Sequence, residues 1–439
     1  MTLLAERVAS PARPRVRLSG YAAGLAAIGA AGLAARLVLL GRQPISRDEA
    51  FTAVVARRSW GGMLDVVRHD SAPPLSYVLD HVATALSSSP SLLRLPSALA
   101  GAAAIPVAAA LGRRLGGDAA GLGAAAVCAA LPSLVIPSRD ARMYALAATL
   151  VMTFALVLWR ALERPDRGRL AGLAAVTAAA LLTHYLDAVA VVATLAAAAL
   201  VLRERGAWPR VLAGVAAGAV PLAAWLPLAH AQADHAGQPF WASGLGPAPT
   251  LGIITQLLAG PGVDKALPEH TLLVGAQTCS FVGASLAGFV VLVGLARPVR
   301  SGWRGGWYLT VAGLGGIGIL CLLSLRSPIW DARYASVLWP PLVPLLGLGL
   351  AWLRPVAALP VAGMAAAALL AAFLQTRPDV GAVATALRAG WDPTTSSSPP
   401  PAPTSSCSPR PTRRPPRGPT SRRRRWAGSG GSPPIRRGR

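Results

Sequence analysis

The sequence predicts an all-α integral membrane protein. Of its 439 residues, 53% are hydrophobic and only 14% are charged, whereas charged residues make up about 25% of a typical soluble chain. The mean hydropathy is +0.49, because long runs of Ala, Leu, Val and Gly alternate with short Arg-containing segments. Together these observations exclude an ordinary soluble enzyme, a fibrous repeat protein and a wholly disordered chain.

About eleven apolar segments approach the length of roughly 20 residues that a membrane-spanning helix needs. They are predicted at residues 19–40, 91–111, 119–137, 142–159, 170–184, 186–202, 210–229, 271–296, 306–325, 335–353 and 356–374. Several of them contain Gly or Pro, which membrane helices tolerate because neighbouring helices satisfy the freed backbone groups. The chain is therefore predicted to cross the membrane many times.

The arginines predict the orientation, since cytoplasmic loops of membrane proteins carry an excess of basic residues. If the basic N-terminus, residues 1–18, is cytoplasmic, further arginines fall in alternate loops, near residues 113, 164, 204, 300 and 354. Most of the 18 acidic residues then lie at the opposite, outer face. A transporter would more often place its acidic residues within the spans. The chemistry is therefore predicted at the extracytoplasmic surface.

The predicted membrane domain, residues 19–380, contains two large exterior loops at 41–90 and 230–270. In the first loop, Ser46 and Glu49 have capping-box spacing, and Pro73 can begin another helix. We therefore expect two or three amphipathic helices on the membrane surface there. The second loop is a candidate lid over an acceptor or donor, although its aromatic and amide residues equally suit an interfacial belt. These residues are Gln238, Phe240 and Trp241.

The C-terminal segment, residues 393–439, consists mainly of Pro, Ser, Thr, Gly and Arg and contains no acidic residue. This composition predicts disorder. Three interpretations stay open: binding to anionic lipid or a wall polymer, a miscounted span, and a frameshifted product of a GC-rich bacterial gene. We favour the frameshift. A nucleic-acid partner is not expected, because the segment would lie outside the cell.

Five clusters of polar residues are predicted at the outer face. They are Asp48-Glu49, His69-Asp70 with Pro73-Pro74, Arg139 to Tyr144, His184-Tyr185, and Asp331 to Tyr334. Carboxylates beside arginines suit the transfer of a group from a phosphate carrier. A carboxylate can accept the proton of a hydroxyl, and the planar guanidinium can bind phosphate oxygens with two hydrogen bonds.

Structural roles compete with this interpretation at every cluster. Helix capping would explain Glu49 and Asp70, and the helix dipole would explain Asp48. A surface ion pair would explain Arg139-Asp140, snorkelling would explain Arg333, and interfacial packing would explain His184-Tyr185. The histidines outside this last cluster lack a metal-ligand spacing.

The ordered motifs resemble those of the protein-O-mannosyltransferase-like glycosyltransferases. Ile45 to Phe51 is similar to their acidic first-loop motif, and Asp70 to Tyr77 matches Asp-x-x-Pro-Pro-Leu-x-Tyr. Arg94 to Gly101, Arg139 to Tyr144, and Arg333-Tyr334 with Pro340 resemble later elements of that family. The resemblance covers roughly residues 20–380 and extends to the lipid A aminoarabinose transferases of the same superfamily, called GT-C.

The resemblance implies a GT-C-type bundle of about eleven transmembrane helices that transfers a sugar, of mannose or pentose type, from a polyprenyl-phosphate carrier. It assigns catalysis to Asp48, with Glu49 beside it and Asp70 at a second acidic position. It assigns the donor phosphate to Arg139, Arg142 and Arg333. The substrate-binding residues are Tyr144, His184 and Tyr185.

The implied partners are a polyprenyl-phosphate-linked sugar, a lipid, glycan or protein acceptor, and membrane lipid in the cell membrane. No cofactor is required by the motifs, although Asp48 and Asp70 leave a divalent cation, Mg²⁺ or Mn²⁺, open. The chain departs from the lipid A transferases in carrying Asp70 where they carry Glu, and in being shorter, so the acceptor stays open. A flippase or transporter of lipid-linked sugars and a polysaccharide ligase or polymerase are the alternatives.

Overall fold

Helices account for nearly all of the regular structure in the computed structural model. The model describes residues 20–202, 205–235, 244–261, 270–296, 304–353 and 356–374, all within one unit that covers Met1–Ala386. The helices are α1 (Gly20–Leu37), α2 (Arg47–Ala56), α3 (Trp60–Val67), α4 (Leu75–Leu86), α5 (Pro90–Ala130), α6 (Pro132–Val135), α7 (Tyr144–Glu163), α8 (Arg167–Leu181), α9 (Tyr185–Val201), α10 (Trp208–His235), α11 (Pro247–Ala259), α12 (His270–Ala296), α13 (Arg304–Ser324), α14 (Ala332–Leu338), α15 (Val343–Trp352) and α16 (Ala358–Leu374). The predicted all-α class is confirmed.

Six of these helices, in the described part of the chain, are long and apolar enough to cross a membrane. A seventh span arises if α14 and the segment 340–352 count as one, since they meet at a bend of 54°. Helices α9 and α16 are apolar but shorter. A multi-pass membrane protein is thus confirmed, whereas the number of eleven spans is not.

The predicted spans 91–111 and 119–137 lie largely within α5, which extends over 41 residues. The helical conformation breaks at Gly116 and Gly117, and Gly117 has a φ of +73°. Glycine suits this position because it lacks the Cβ that makes the left-handed region unfavourable. The kink therefore divides α5 into two arms at the point where the sequence predicts a short loop.

The core depends on close contact between helix backbones. A Cβ added to Gly347 of α15 would lie 2.1 Å from the backbone nitrogen of Ala124 in α5, and one added to Gly123 would lie 2.3 Å from the carbonyl oxygen of Gly347. Small residues at such crossings are typical of membrane helices, because association there depends on packing rather than on the hydrophobic effect.

Charged side chains gather at one end of the bundle. Arg113 pairs with Asp118 and Arg114 with Glu163, each at 2.6 Å. The Arg113 guanidinium also lies 4.5 Å from the ring centre of Tyr21. Since Tyr21 is near the start of α1 and Glu163 ends α7, the first turn of α7 lies at the opposite end. The arginine loops around residues 113 and 164 thus share one side, as predicted.

Two buried arginines join the end of α1 to the break after α5. Arg36 donates hydrogen bonds to the carbonyls of Gly32 and Cys128, at 2.9 Å each, and to the hydroxyl of Ser138 at 3.1 Å. Arg139 donates to three carbonyls of the last turn of α1 and the residue after it. Cations are favourable there because the carbonyls at a helix C-terminus carry partial negative charge.

The first exterior loop forms the three helices α2, α3 and α4, which agrees with the predicted two or three. A small core of Val55, Met63, Val67, Ala72, Tyr77 and Met143 holds them together. The loop is also fixed to α10, where buried Gln232 donates to the carbonyls of Val67 and Ala72. Their position on a membrane surface stays a prediction.

The second exterior loop contains α11, whose Thr250 hydroxyl accepts a hydrogen bond from the indole of Trp330 at 3.1 Å. The proposed lid residues Gln238, Phe240 and Trp241 lie outside the described residues. So do the basic N-terminus, residues 1–18, and the Pro/Arg/Ser-rich segment, residues 393–439.

Candidate active site

A large open cavity lies at the end of the bundle opposite Arg113 and Arg114. Its volume is about 500 Å³, and it is lined by Ser46, Arg47, Asp48, Pro132, Ser133, Ile136, Pro137, Asp140, Arg142, Tyr144, Gln256, Leu257, Pro261, Ala332, Arg333 and Ser336. Three arginines and two carboxylates form its charged wall, three serines, Tyr144 and Gln256 add neutral polar groups, and proline and aliphatic side chains form the apolar part. This pairing of charge with apolar surface suits a molecule that carries both a phosphate and a hydrocarbon chain.

Asp48 and Arg333 form an ion pair within this cavity. The Asp48 Oδ2 atom lies 3.1 Å from Arg333 Nη1, and the two side chains are 46% and 51% exposed, respectively. Asp48 lies in the first turn of α2, which Ser46 caps, and Arg333 lies in the first turn of α14, which Asp331 caps. Both side chains are therefore held at the mouth of the cavity by helix N-termini and stay accessible to a substrate.

Arg142 lies deeper and is surrounded by acidic and phenolic groups. Its Nη1 atom donates to the hydroxyl of Thr52 at 3.4 Å. Burial on its own lowers the pKa of Arg142, but the nearby phenols of Tyr77 and Tyr144 and the carboxylates of Asp48 and Asp70 raise it above its usual value. The guanidinium thus stays charged and stands at the centre of the predicted site residues.

Glu49, beside Asp48, faces away from the cavity. It is fully buried and forms an ion pair with Arg94 at 2.6 Å. It also accepts hydrogen bonds from the backbone N–H groups of Ser46 at 3.0 Å and Ala141 at 3.1 Å. Burial alone would raise the pKa of Glu49, but the hydrogen bond and charge of Arg94 lower it to about 2. The predicted capping box is confirmed.

Glu49 therefore connects two walls of the cavity. One wall contains Asp48, its neighbour in α2, and the other contains Asp140 and Arg142, which flank Ala141. The geometry favours a positioning role for Glu49 over contact with substrate, because its carboxylate is enclosed by protein donors.

Arg139 is also directed away from the cavity. Its side chain is 3% exposed, and Nη1 donates to the carbonyls of Ala35 and Val38 at 2.8 and 2.9 Å. The residue does not line the cavity. The arrangement thus favours capping of α1 over the phosphate contact that the sequence suggested, whereas Arg142 and Arg333 both line the cavity.

Asp70 lies near enough to Arg142 to interact with its charge and accepts a hydrogen bond from the hydroxyl of Tyr77 at 2.5 Å. It does not line the cavity. In the described parts of the chain, no group of three His, Cys, Asp or Glu side chains could hold a metal ion together. Asp48 lines the cavity, whereas Asp70 is bound to Tyr77 and does not, so the structure does not bring these two carboxylates together at the cavity for the divalent cation that the sequence left open.

Aromatic rings close one side of the site. The imidazole of His184 lies between the rings of Tyr144 and Tyr334, with centroid distances of 5.8 and 5.9 Å. Burial, and secondarily the charge of Arg142, lowers the pKa of His184 to about 4. Its Nδ1 atom accepts the N–H of Leu186 at 3.1 Å, so the ring is neutral and carries its proton on Nε2. Of the three predicted substrate-binding residues, only Tyr144 lines the cavity.

Tyr185 connects helices instead. Its hydroxyl donates to the side chain of Gln232 and accepts from the indole of Trp225 at 3.2 Å. Gln232 in turn holds the carbonyls of Val67 and Ala72 in the first exterior loop. Tyr185 therefore contributes to fixing α9 and α10 to that loop.

Arg47, Asp140 and Gln256 line the cavity but were not predicted as site residues, and the same holds for its three serines, Ser46, Ser133 and Ser336. Arg47 and Asp140 lie within motifs that indicate the site, so their place next to Asp48 and Arg142 is the signal that could have identified them. Gln256 lies on α11 in the second exterior loop, where the sequence has no motif. Its contribution depends on how α11 packs against α6 and α14.

Comparisons with known proteins agree with this description. Residues 70–229 match the model of the family described as dolichyl-phosphate-mannose-protein mannosyltransferase. No curated protein sequence gives a significant match.

Three solved structures have a similar fold. A crystal structure of ArnT from Cupriavidus metallidurans in the apo state aligns with a TM-score of 0.57 at 18% identity, over 77% of this chain and 61% of that one. The same protein bound to undecaprenyl phosphate aligns with a TM-score of 0.54 at 19% identity, over 76% and 61%. The Archaeoglobus fulgidus oligosaccharyltransferase in the apo form aligns with a TM-score of 0.52 at 11% identity, over 85% and 58%.

The chain thus spans less than two thirds of the length of these proteins. The matched family model and the shared fold both agree with the motifs, so the predicted resemblance to the GT-C membrane glycosyltransferases is confirmed.

Proposed function

We propose that the protein transfers a sugar from a polyprenyl-phosphate carrier to a hydroxyl-bearing acceptor at the cavity that contains Asp48. The observation that carries this proposal is the placement of an accessible carboxylate beside Arg142 and Arg333 in one cavity with an apolar wall. The carboxylate suits proton abstraction, the guanidinium groups suit a phosphate, and the apolar wall suits the first units of a prenyl chain.

The proposed reaction is a single displacement. The acceptor hydroxyl loses its proton to Asp48 as its oxygen attacks the anomeric carbon of the sugar. The bond between that carbon and the phosphate oxygen breaks, and the polyprenyl phosphate leaves with the electron pair. Arg142 and Arg333 stabilise the charge that develops on the leaving phosphate. No covalent intermediate with the protein forms, so the sugar is inverted at its anomeric carbon.

The Asp48–Arg333 ion pair fits this reaction. In the pair, the carboxylate is charged and therefore able to accept a proton. A donor phosphate, with more charge and more acceptor oxygens than a carboxylate, competes for the same guanidinium. Donor binding would therefore draw Arg333 away from Asp48 and leave the carboxylate to the acceptor.

The proposal for Glu49, Arg139 and Asp70 differs from the initial expectation. Glu49 and Arg139 act as positioning residues, because their polar atoms contact protein groups behind the cavity wall. Asp70 holds Tyr77 by a hydrogen bond and adds negative charge near Arg142 without lining the cavity. The arginine loops at the far end of the bundle support a cytoplasmic position for that end, and hence an extracytoplasmic cavity in the cell membrane.

The test is a transfer assay with the purified full-length protein and radiolabelled polyprenyl-phospho-mannose and polyprenyl-phospho-pentose donors, offered with a membrane lipid extract as acceptor. We expect label to reach the acceptor with one donor class. Asp48→Asn should lose the transfer while retaining the fold. Asp65→Asn is the matched control, since Asp65 is an exposed carboxylate of α3 that does not line the cavity. Equal activity of Asp48→Asn and wild type would overturn the assignment of Asp48.

A further inference from the structure

A second, much smaller cavity lies behind Arg142. Its volume is about 10 Å³, and it is lined by Ser76, Leu79, Asp80, Pro96, Ser97, Arg142, Met143 and Leu146. Arg142 is the one residue that lines both this cavity and the large one. The arginine therefore lies between the two cavities.

Arg142 and Asp80 are the two charged residues in the lining of this cavity. The Nε atom of Arg142 is buried and makes no hydrogen bond to any described residue. Asp80, on α4, is only 4% exposed. Burial raises the pKa of Asp80 to about 7, although the charge of Arg142 opposes that shift. A buried donor without an acceptor is costly, because it has lost its contact with bulk water.

The small cavity has the volume of one water molecule, which needs roughly 10–15 Å³ on this measure and two to four polar partners. Four residues of the lining carry polar side chains that can serve as such partners: Ser76, Asp80, Ser97 and Arg142. The Ser97 hydroxyl already donates to the backbone carbonyl of Arg142 at 2.9 Å, so its oxygen is still able to accept.

We propose that a water molecule in this cavity links Arg142 Nε to the carboxyl of Asp80, and that Asp80 thereby positions Arg142 for the phosphate of the donor. The water accepts the Nε–H and donates to Asp80. With Nη1 held by Thr52, the guanidinium is then fixed on two sides before a ligand arrives. Such preorganisation strengthens binding, because less side-chain entropy is lost when the phosphate binds. This inference rests on the proposed function, in which Arg142 contacts the phosphate.

The binding test uses undecaprenyl phosphate as the probe and the purified full-length protein, with affinity measured by native mass spectrometry. We expect Asp80→Ala to weaken binding by about tenfold, the effect of losing one hydrogen bond to a charged group. Asp80→Asn should restore most of the affinity, since the amide oxygen can accept the same hydrogen bond from water. Asp65→Asn again serves as the exposed-carboxylate control.

A double-mutant cycle distinguishes positioning from a general structural effect. If Asp80 acts through Arg142, then Asp80→Ala should add little to the loss caused by Arg142→Ala. Additive losses in the cycle, or an unchanged affinity in Asp80→Ala, would overturn the proposal.

A cryo-EM map that resolves ordered water gives a second readout that does not depend on the ligand. Density for one water between Asp80 and Arg142 is expected in the wild type. Its absence there would also overturn the proposal. If the wild type binds no undecaprenyl phosphate while Arg142 and the water are seen in place, the proposed function fails and the link between Asp80 and Arg142 stands.

Discussion

Asp48 and Arg333 are 285 residues apart in the sequence, yet their side chains form an ion pair of 3.1 Å at the mouth of one cavity. The pair joins the first exterior loop to the last part of the bundle. Because both side chains are about half exposed, the pair contributes little to stability, typically less than about 1 kcal/mol. Its value to the protein lies in placing a carboxylate and a guanidinium together where a substrate can reach them.

Arg333→Ala should therefore reduce sugar transfer much more than stability. We expect kcat/KM for the donor to fall by about 10²-fold, as when one group that stabilises developing charge is removed. The midpoint of thermal unfolding should change little. Arg113→Ala is the matched control, since Arg113 forms a comparably exposed ion pair with Asp118 at the other end of the bundle. A similar loss of transfer in both variants would contradict the phosphate role of Arg333.

The buried pair of Glu49 and Arg94 should behave in the opposite way. Both side chains are almost fully buried, so Arg94→Ala leaves a carboxylate without its main partner. Breaking such a pair costs about 3–5 kcal/mol. We expect a large drop in the denaturation midpoint of the purified protein. Asp48→Asn, at the neighbouring position, should lower the denaturation midpoint only slightly. Equal destabilisation by Arg94→Ala and Asp48→Asn would contradict the different roles of the buried and the exposed ion pair.

Glu49 also predicts a dependence of stability on pH. Its pKa is lowered from 4.5 to about 2 in the folded state, so the folded protein binds fewer protons than the unfolded chain between these values. The stabilisation is complete above pH 4.5 and is lost as the pH falls through about 2. Unfolding midpoints recorded from pH 5 to pH 2 should show a decline that is smaller in Glu49→Gln. An identical decline in wild type and variant would exclude Glu49 as its source.

The sequence was sufficient to predict the all-α membrane class and the gathering of Asp48, Arg142 and Arg333. Hydropathy and motif order carry this information, because apolar spans bring alternate loops to the same surface. The separate roles of neighbouring residues could not be predicted in this way. Helix α2 turns about 100° per residue, so Asp48 and Glu49 point in different directions. Asp48 faces the cavity, whereas Glu49 faces the interior, where Arg94 binds it.

Arg139 illustrates the same limit. Its motif indicates the site, but the direction of its side chain depends on the carbonyls of α1, about a hundred residues earlier in the chain.

The number of spans could not be predicted for a related reason. Whether two apolar stretches form one kinked helix or two depends on the conformation of Gly116 and Gly117, which composition does not reveal. Gln256 could not be found at all, because its place in the cavity results from tertiary packing of α11.

Arg139 and Arg142 provide a direct comparison of capping with ligand contact. Arg139→Ala removes several hydrogen bonds to the last carbonyls of α1. We expect it to destabilise the protein by about 2 kcal/mol while changing the donor KM little in the molecules that stay folded. Arg142→Ala should raise the donor KM strongly. Steady-state kinetics combined with thermal unfolding would distinguish the capping role of Arg139 from the ligand contact of Arg142. The same change of donor KM and stability in both variants would refute these two roles.

His184 gives a prediction that links packing to pH. Its pKa is lowered from 6.5 to about 4, chiefly by burial and further by Arg142, and its Nδ1 atom caps the N-terminus of α9. Between pH 6.5 and pH 4, the unfolded chain binds a proton at this residue that the folded protein does not. The free energy of unfolding should therefore decrease as the pH falls through this window, by up to about 1.4 kcal/mol per pH unit.

His184→Asn removes the titration but keeps a side-chain oxygen that can cap the helix. We therefore expect the variant to be less dependent on pH between 6.5 and 4 than the wild type, with a similar stability at pH 5. His69→Asn, at an exposed position of the first exterior loop, is the control and should retain the slope of the wild type. If His184→Asn also retains the pH dependence of the wild type, the neutral imidazole between Tyr144 and Tyr334 is not the group that titrates. The fall in stability would then come from carboxylates elsewhere.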